Sequence, residues 1–93
     1  MSDLAAVRIV ARGQVQGVFF RDFTTRRARE LGLTGYVRNV TGGAVEAVAE
    51  GERVKLENLV RHMGKGPSGA SVDSVDTKWS EYTGKYPTFG TRF

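Results

Sequence analysis

Apolar and polar positions along this chain of 93 residues change period several times, and each change marks an element. Ala6-Val7-Arg8-Ile9-Val10-Ala11-Arg12 alternates for part of its length, which predicts a strand. The period then lengthens: Phe20, Phe23, Ala28 and Leu31 fall on roughly one helical face, and Gly32 is a natural stop. Thr34 to Val40 is rich in strand formers, and Thr41-Gly42-Gly43 separates it from Ala44 to Glu50, which predicts a β-hairpin. From Glu52 onward, Leu56, Leu59, Val60 and Met63 follow an i, i+3, i+4, i+7 stripe and predict a second amphipathic helix ending near Gly64 to Pro67. Ala70, Val72 and Val75 lead through Thr77 and Trp79 as another strand, whose alternation breaks once around Ser74, as a bulge would break it. The tail from Thr83 holds Pro87 and a short strand-like piece, Phe89 to Phe93.

The predicted order is β-α-β-β-α-β with a short final strand, the split βαβ arrangement of ferredoxin-like folds. That is an α+β class protein, a ferredoxin-like α/β sandwich with two helices on one face of a mainly antiparallel sheet. The length predicts one domain, residues 1–93, around one core. In such a unit the first and second strands run parallel, because the helix between them carries the chain back. Their C-terminal ends share one edge of the sheet, so Asn39 is expected beside the loop that follows the first strand.

That loop is Gly13-Gln14-Val15-Gln16-Gly17-Val18-Phe19-Phe20-Arg21, a strand-to-helix turn. Glycine tolerates positive φ and lets successive backbone N–H groups point into one concavity, which binds anions. A helix N-terminus directly behind it adds unpaired donors, and Arg21 adds a planar fork matched to phosphate oxygens. The GxxxxGK[ST] and GxGxxG orders are both absent. Two readings fit these residues: a phosphate cradle, or a tight turn whose arginine is merely solvated.

A net charge of +4 and a pI near 9.9 favour anionic partners without choosing between a phosphorylated small molecule and a nucleic acid. Arg26, Arg27 and Arg29, beside Glu30 on the first helix, read as a solvated face. The chain has no Cys, which removes disulfides, thiolate nucleophiles and cysteine metal sites and fits a cytoplasmic protein. No apolar run has the length of a membrane span, and Met1-Ser2-Asp3-Leu4 lacks a signal-peptide pattern. His62 is the only histidine, so no histidine pair, triad or metal cluster can be built around it, and it reads as a surface or boundary residue. Trp79 and Tyr82 read as packing rather than as stacking platforms.

Two stretches, GQVQGVFFR and GYVRNVTGGAVEAVAEG, together resemble the acylphosphatase family. The first is similar to its phosphate loop and the second to its Asn-bearing hairpin, with Gly35, Val37, Asn39, Gly43, Val45 and Glu46 at matching positions. Gly66-Pro67 and the basic-then-aromatic end Arg92-Phe93 resemble the family too, while Tyr82 to Pro87 is less typical and tyrosine is commoner than Phe93 at the end. The resemblance implies hydrolysis of the carboxyl phosphate bond of acyl phosphates to a carboxylate and inorganic phosphate, with no metal or other cofactor. It implies Arg21 as the phosphate-binding arginine, Asn39 as the residue orienting the attacking water, and the amides of Gly17, Val18, Phe19 and Phe20 as the cradle, with Gln16 at its edge. Implied partners are a small-molecule acyl phosphate and inorganic phosphate as product and competitive inhibitor, without nucleic acid or membrane, the chain acting as a monomer.

Two other readings compete. Ferredoxin-like folds also support RNA recognition, but that motif places aromatics on a strand in the order K/R-G-F/Y-G/A-F-V-x-F/Y, whereas Phe19 and Phe20 are adjacent in a loop. A domain of this kind also fits within a larger carbamoyl-transferring maturation enzyme, where the same site would handle carbamoyl phosphate.

Overall fold

The structure, a computed structural model, describes residues 3–93. The signal-peptide reading of Met1 to Leu4 therefore falls partly outside the described residues. Seven elements follow in order: β1 (Leu4–Gln14), α1 (Phe20–Glu30), β2 (Thr34–Val40), β3 (Ala44–Glu52), α2 (Arg53–Lys65), β4 (Ser71–Ser80) and β5 (Phe89–Arg92). They build one five-stranded sheet in the order β4-β1-β3-β2-β5. Neighbours pair antiparallel except β2 and β5, which are parallel. This is the ferredoxin-like α+β arrangement expected from the pattern. Because β3 is antiparallel to both β1 and β2, those two strands point the same way and end at one edge.

β1 is longer than its alternation suggests. Val7, Ile9 and Ala11 enter the core under the helices, yet Ala6 and Val10 on the opposite face are buried as well. Small apolar residues on the outer face interrupt the polar alternation of β1, which blurs its ends in the sequence. α1 packs over β2 and β5, and α2 over β1 and β4. Leu56, Leu59 and Met63 of α2 meet Phe20 and the strand residues Ile9, Val37, Val45 and Phe89 in the core. Each such side chain contributes about 1.5–3 kcal/mol through its removal from water.

The buried stripe of α1 is Phe20, Thr24, Thr25 and Ala28, whereas Phe23 and Leu31 are only half-buried. The Thr25 hydroxyl is shared with that of Thr91 of β5 at 2.7 Å, and the Thr24 hydroxyl is buried with no hydrogen-bond partner among the described residues. α1 stops as expected: Gly32 N–H donates to Arg29 O and Leu33 N–H to Ala28 O, the paired bonds of a Schellman end. The irregularity near Ser74 is real. Arg12 pairs with Ser74 and Gly13 with Val72, so Asp73 is the extra residue of a bulge in β4.

Residues 81–86 have no regular structure, and their hydrogen bonds lead back to β3. Buried Glu50 accepts from the Thr83 hydroxyl at 2.7 Å and from Gly84 N–H at 2.9 Å, and Tyr86 meets Tyr36 edge to face. Trp79 is half-buried with the Arg53 guanidinium 4.1 Å above its ring, but Tyr82 is exposed, so the packing role holds only for Trp79. His62 lies at the boundary, its ring edge to face with Phe23. Among the described residues no helix is long and apolar enough to cross a membrane.

Candidate active site

The loop after β1 is fixed at both ends by burial: Val15 is fully buried, and Phe20, the first residue of α1, is nearly so. Between them the backbone enters the left-handed region at Gly17 (φ 75°) and again at Phe19 (φ 60°). Left-handed residues set among right-handed ones are the backbone feature from which anion nests are built. For Phe19 this conformation costs roughly 1–2 kcal/mol, and its ring is 82% exposed, so no core contact of the side chain compensates it. Phe19 is also the N-cap of α1 and makes no side-chain cap. The first amides of α1 have no acceptor within the helix, and the positive end of its dipole lies there.

The two glycines of the motif serve different structures. Gly17 belongs to the loop, whereas Gly13 lies within β1 opposite the bulge. A Cβ at Gly13 would sit 2.2 Å from Ser71 O, so that glycine permits close strand approach and forms no part of the nest.

Arg21, in the first turn of α1, is held by the C-terminal segment. Its Nη1 donates to Arg92 O at 3.0 Å, and its guanidinium lies 4.5 Å from the centroid of the Phe93 ring. Asn39, next to last in β2, lies on the same face as Val37. A cleft of about 340 Å³ opens at this edge, with Val15, Gly17, Phe19, Phe20, Arg21 and Asn39 around it and Thr91 and Phe93 closing the far side. Arg21 and Asn39 thus line one cleft, as the parallel course of β1 and β2 requires.

Gln16 and Val18 do not line that cleft. Val18 is half-buried against the core. The Gln16 carboxamide nitrogen donates to Val40 O at 3.0 Å and Ala44 O at 2.8 Å, so it ties the loop to the mouth of the β2–β3 hairpin. Asp22 is an unforeseen lining residue, its carboxylate 3.3 Å from Arg26. Thr91 was unforeseen too, because alternation along a strand does not reveal a parallel partner. Of the arginines read as a solvated face, Arg26 and Arg27 pair along the α1 surface, while Arg29 Nε donates to Phe89 O at 2.8 Å and fastens the start of β5.

Beneath the opposite face lies Glu46, its side chain 4% exposed. It accepts from Arg8 Nε and from Arg38 Nε, the latter at 2.7 Å. Burial alone would push its carboxyl up, but the hydrogen bonds and charges of Arg38 and Arg8 outweigh it and hold the group below its ordinary 4.5. The hydrogen bond that Arg38 donates to Glu46 in turn raises the pKa of Arg38. Among the described residues no three of His, Cys, Asp and Glu converge as metal donors would.

The fold and cleft together define a small ferredoxin-like α+β protein with a cleft at the carboxyl edge of β1 and β2, beside the strand-to-helix loop. The acylphosphatase family profile matches residues 7–91. An acylphosphatase of Anaeromyxobacter sp. (strain Fw109-5) is 49% identical over 92 residues, 99% of each chain. The structure of an acylphosphatase from Coxiella burnetii superposes with a TM-score of 0.91 at 37% identity, covering 97% of this chain and 94% of that one. That of the acylphosphatase from Bacillus subtilis gives 0.92 at 31% identity, covering 98% and 100%. The chain belongs to the acylphosphatase family and is an enzyme of that class.

Proposed function

We propose that the enzyme hydrolyses the carboxyl phosphate bond of a small-molecule acyl phosphate without a metal, Arg21 and the loop amides holding the phosphoryl group and Asn39 orienting the attacking water. The observation that carries this reading is that Arg21 and Asn39, distant in sequence, line one cleft around the Gly17–Phe20 turn. Family membership supports the reaction class.

The chemistry asks little more of the protein. An acyl phosphate expels a carboxylate whose conjugate acid has a pKa near ~4, so at neutral pH the leaving group needs no proton donor. The transition state is loose, with charge on the equatorial oxygens, and catalysis becomes positioning plus electrostatic stabilisation. Arg21 supplies a fork to two of those oxygens, and the amides of Gly17, Val18, Phe19 and Phe20 supply donors without charge. Arg92 O and Phe93 fix the guanidinium before substrate arrives, which removes part of the ordering cost of binding. The Asn39 carboxamide both donates and accepts, so it can hold a water in line with the scissile bond. Inorganic phosphate, sharing the cradle, competes with substrate.

The test is benzoyl phosphate hydrolysis in excess EDTA. Wild type turns over; Arg21→Ala loses phosphate inhibition and nearly all turnover while remaining folded, and Arg21→Lys fails badly because a point charge does not reproduce the fork. An inactive wild type, or near-normal activity in either variant, contradicts the assignment.

A further inference from the structure

On the face of the sheet away from the helices lies a second concavity, of about 500 Å³, which shares only Asn39 with the cleft. Its floor is Val10 of β1 and Ala44 of β3, both short and buried. Longer side chains stand around them: Arg8 and Arg12 from β1 and Arg38 from β2, with Thr41 and Gly42 of the hairpin turn at one end. The depth comes from that contrast in side-chain length.

The three guanidiniums are held from below and from the side. Buried Glu46 accepts from the Nε of Arg8 and of Arg38, and Asp76 accepts from Arg12. A contact through Nε fixes the plane of a guanidinium and leaves its Nη donors for another acceptor. One carboxylate shared by two arginines leaves that trio with a net positive charge. The strand register increases it, because Lys78 lies directly opposite Arg8 and Arg92 directly opposite Arg38. Like charges directly opposite across an antiparallel pair are unfavourable, so Arg8 and Lys78 form a repulsive pair that a bound anion would relieve.

We propose that this cavity is a second oxyanion site, separate from the cleft, that binds a short phosphate chain, with Arg8, Arg12 and Arg38 as its donors. A chain suits it better than a single phosphate, since the cavity is larger than the roughly 340 Å³ cleft and its arginines stand on two different strands. The site draws on neither Arg21 nor the loop amides, so it does not depend on the catalytic reading. Asn39 borders both cavities, and the resonances that separate them are those of Arg8, Arg38, Thr41 and Gly42.

Pyrophosphate and, separately, inorganic phosphate are titrated at constant ionic strength into isotope-labelled wild type and Arg21→Ala, following arginine Nε–H and backbone amide resonances. Saturable shifts at Arg8, Arg38, Thr41 and Gly42 are expected in both proteins, tighter for pyrophosphate. Wild type adds a second set at residues 16–22. Arg12→Gln, which leaves Glu46 with both partners, should weaken outer-face binding about 10- to 100-fold while leaving benzoyl phosphate turnover unchanged. Shifts confined to residues 16–22, shifts that never saturate, equal affinity for phosphate and pyrophosphate, or indifference to Arg12→Gln would each overturn the proposal.

Discussion

Replacing Gln16 by alanine separates two roles for a residue at the margin of the cradle. Its side chain makes two hydrogen bonds, to Val40 O and Ala44 O, and neither acceptor belongs to the cleft. Neutral bonds of this kind contribute about 0.5–1.5 kcal/mol each, and the Val40 bond is exposed, so the total is about 1–2 kcal/mol. In a chain of this size that lowers Tm by about 4–15 °C. The effect on rate comes from geometry. Gln16 connects the loop that carries the amides to the strand end that carries Asn39, and a misplacement near 1 Å between reacting groups costs about 10²-fold. The expected result for Gln16→Ala is a kcat lowered about 10- to 100-fold, with phosphate inhibition nearly intact. Gln16→Glu should be worse, since a carboxylate facing two carbonyl oxygens has no donor to offer and adds negative charge near the proposed anion site. The assays are benzoyl phosphate kinetics in EDTA, the inhibition constant of phosphate, and thermal unfolding. An unchanged kcat accompanied by the expected fall in Tm would refute the reasoning, and so would equal losses of phosphate affinity and turnover, which would make Gln16 a phosphate ligand.

Glu46→Gln should cost about 1–2 kcal/mol at pH 7, because two guanidinium hydrogen bonds to a buried carboxylate lose their charge. Its folded carboxyl lies below the ordinary 4.5, so wild-type stability from this group is fully present above that value and is lost as pH falls through the folded value. Urea unfolding from pH 7 down to acid should show the gap between wild type and variant narrowing only below about 4.5; a gap independent of pH contradicts this. Gly35→Ala should destabilise by at least about 3 kcal/mol or prevent folding, since φ is +133° and the new Cβ would sit 1.8 Å from Val48 O; urea unfolding measures it, and a near-neutral variant contradicts it.

The elements most legible in the sequence were those with one-sided burial or a strong turn signal. α2, with Leu56, Leu59, Val60 and Met63 on one face, follows its pattern closely, and the Thr41-Gly42-Gly43 turn marks the β2–β3 hairpin even though β3 is buried on both faces. α1 was legible as a helix but not in its buried face, because Thr24 and Thr25 count as polar in any hydropathy pattern and are nevertheless buried. The outer-face burial of Ala6 and Val10 and the course of residues 81–86 depend on contacts between distant segments, which periodicity along one segment does not encode. In the site, glycine chemistry and strand direction were enough to bring the Gly17 loop and Asn39 together. The contributions of Thr91 and Phe93 were hidden because β5 joins by parallel pairing, and the Gln16 tie was hidden because its acceptors are backbone carbonyls, which every residue possesses.

The division of labour between binding and water positioning is tested most directly by comparing Asn39→Ala with Arg21→Ala in one assay, benzoyl phosphate turnover in EDTA with phosphate as inhibitor. Loss of a hydrogen bond made mainly in the transition state should lower kcat of Asn39→Ala by roughly 10²- to 10³-fold and leave phosphate inhibition near wild type. Arg21→Ala should lose both. If Asn39→Ala instead loses phosphate affinity and turnover in equal proportion, Asn39 is a binding residue and the water-positioning mechanism is wrong.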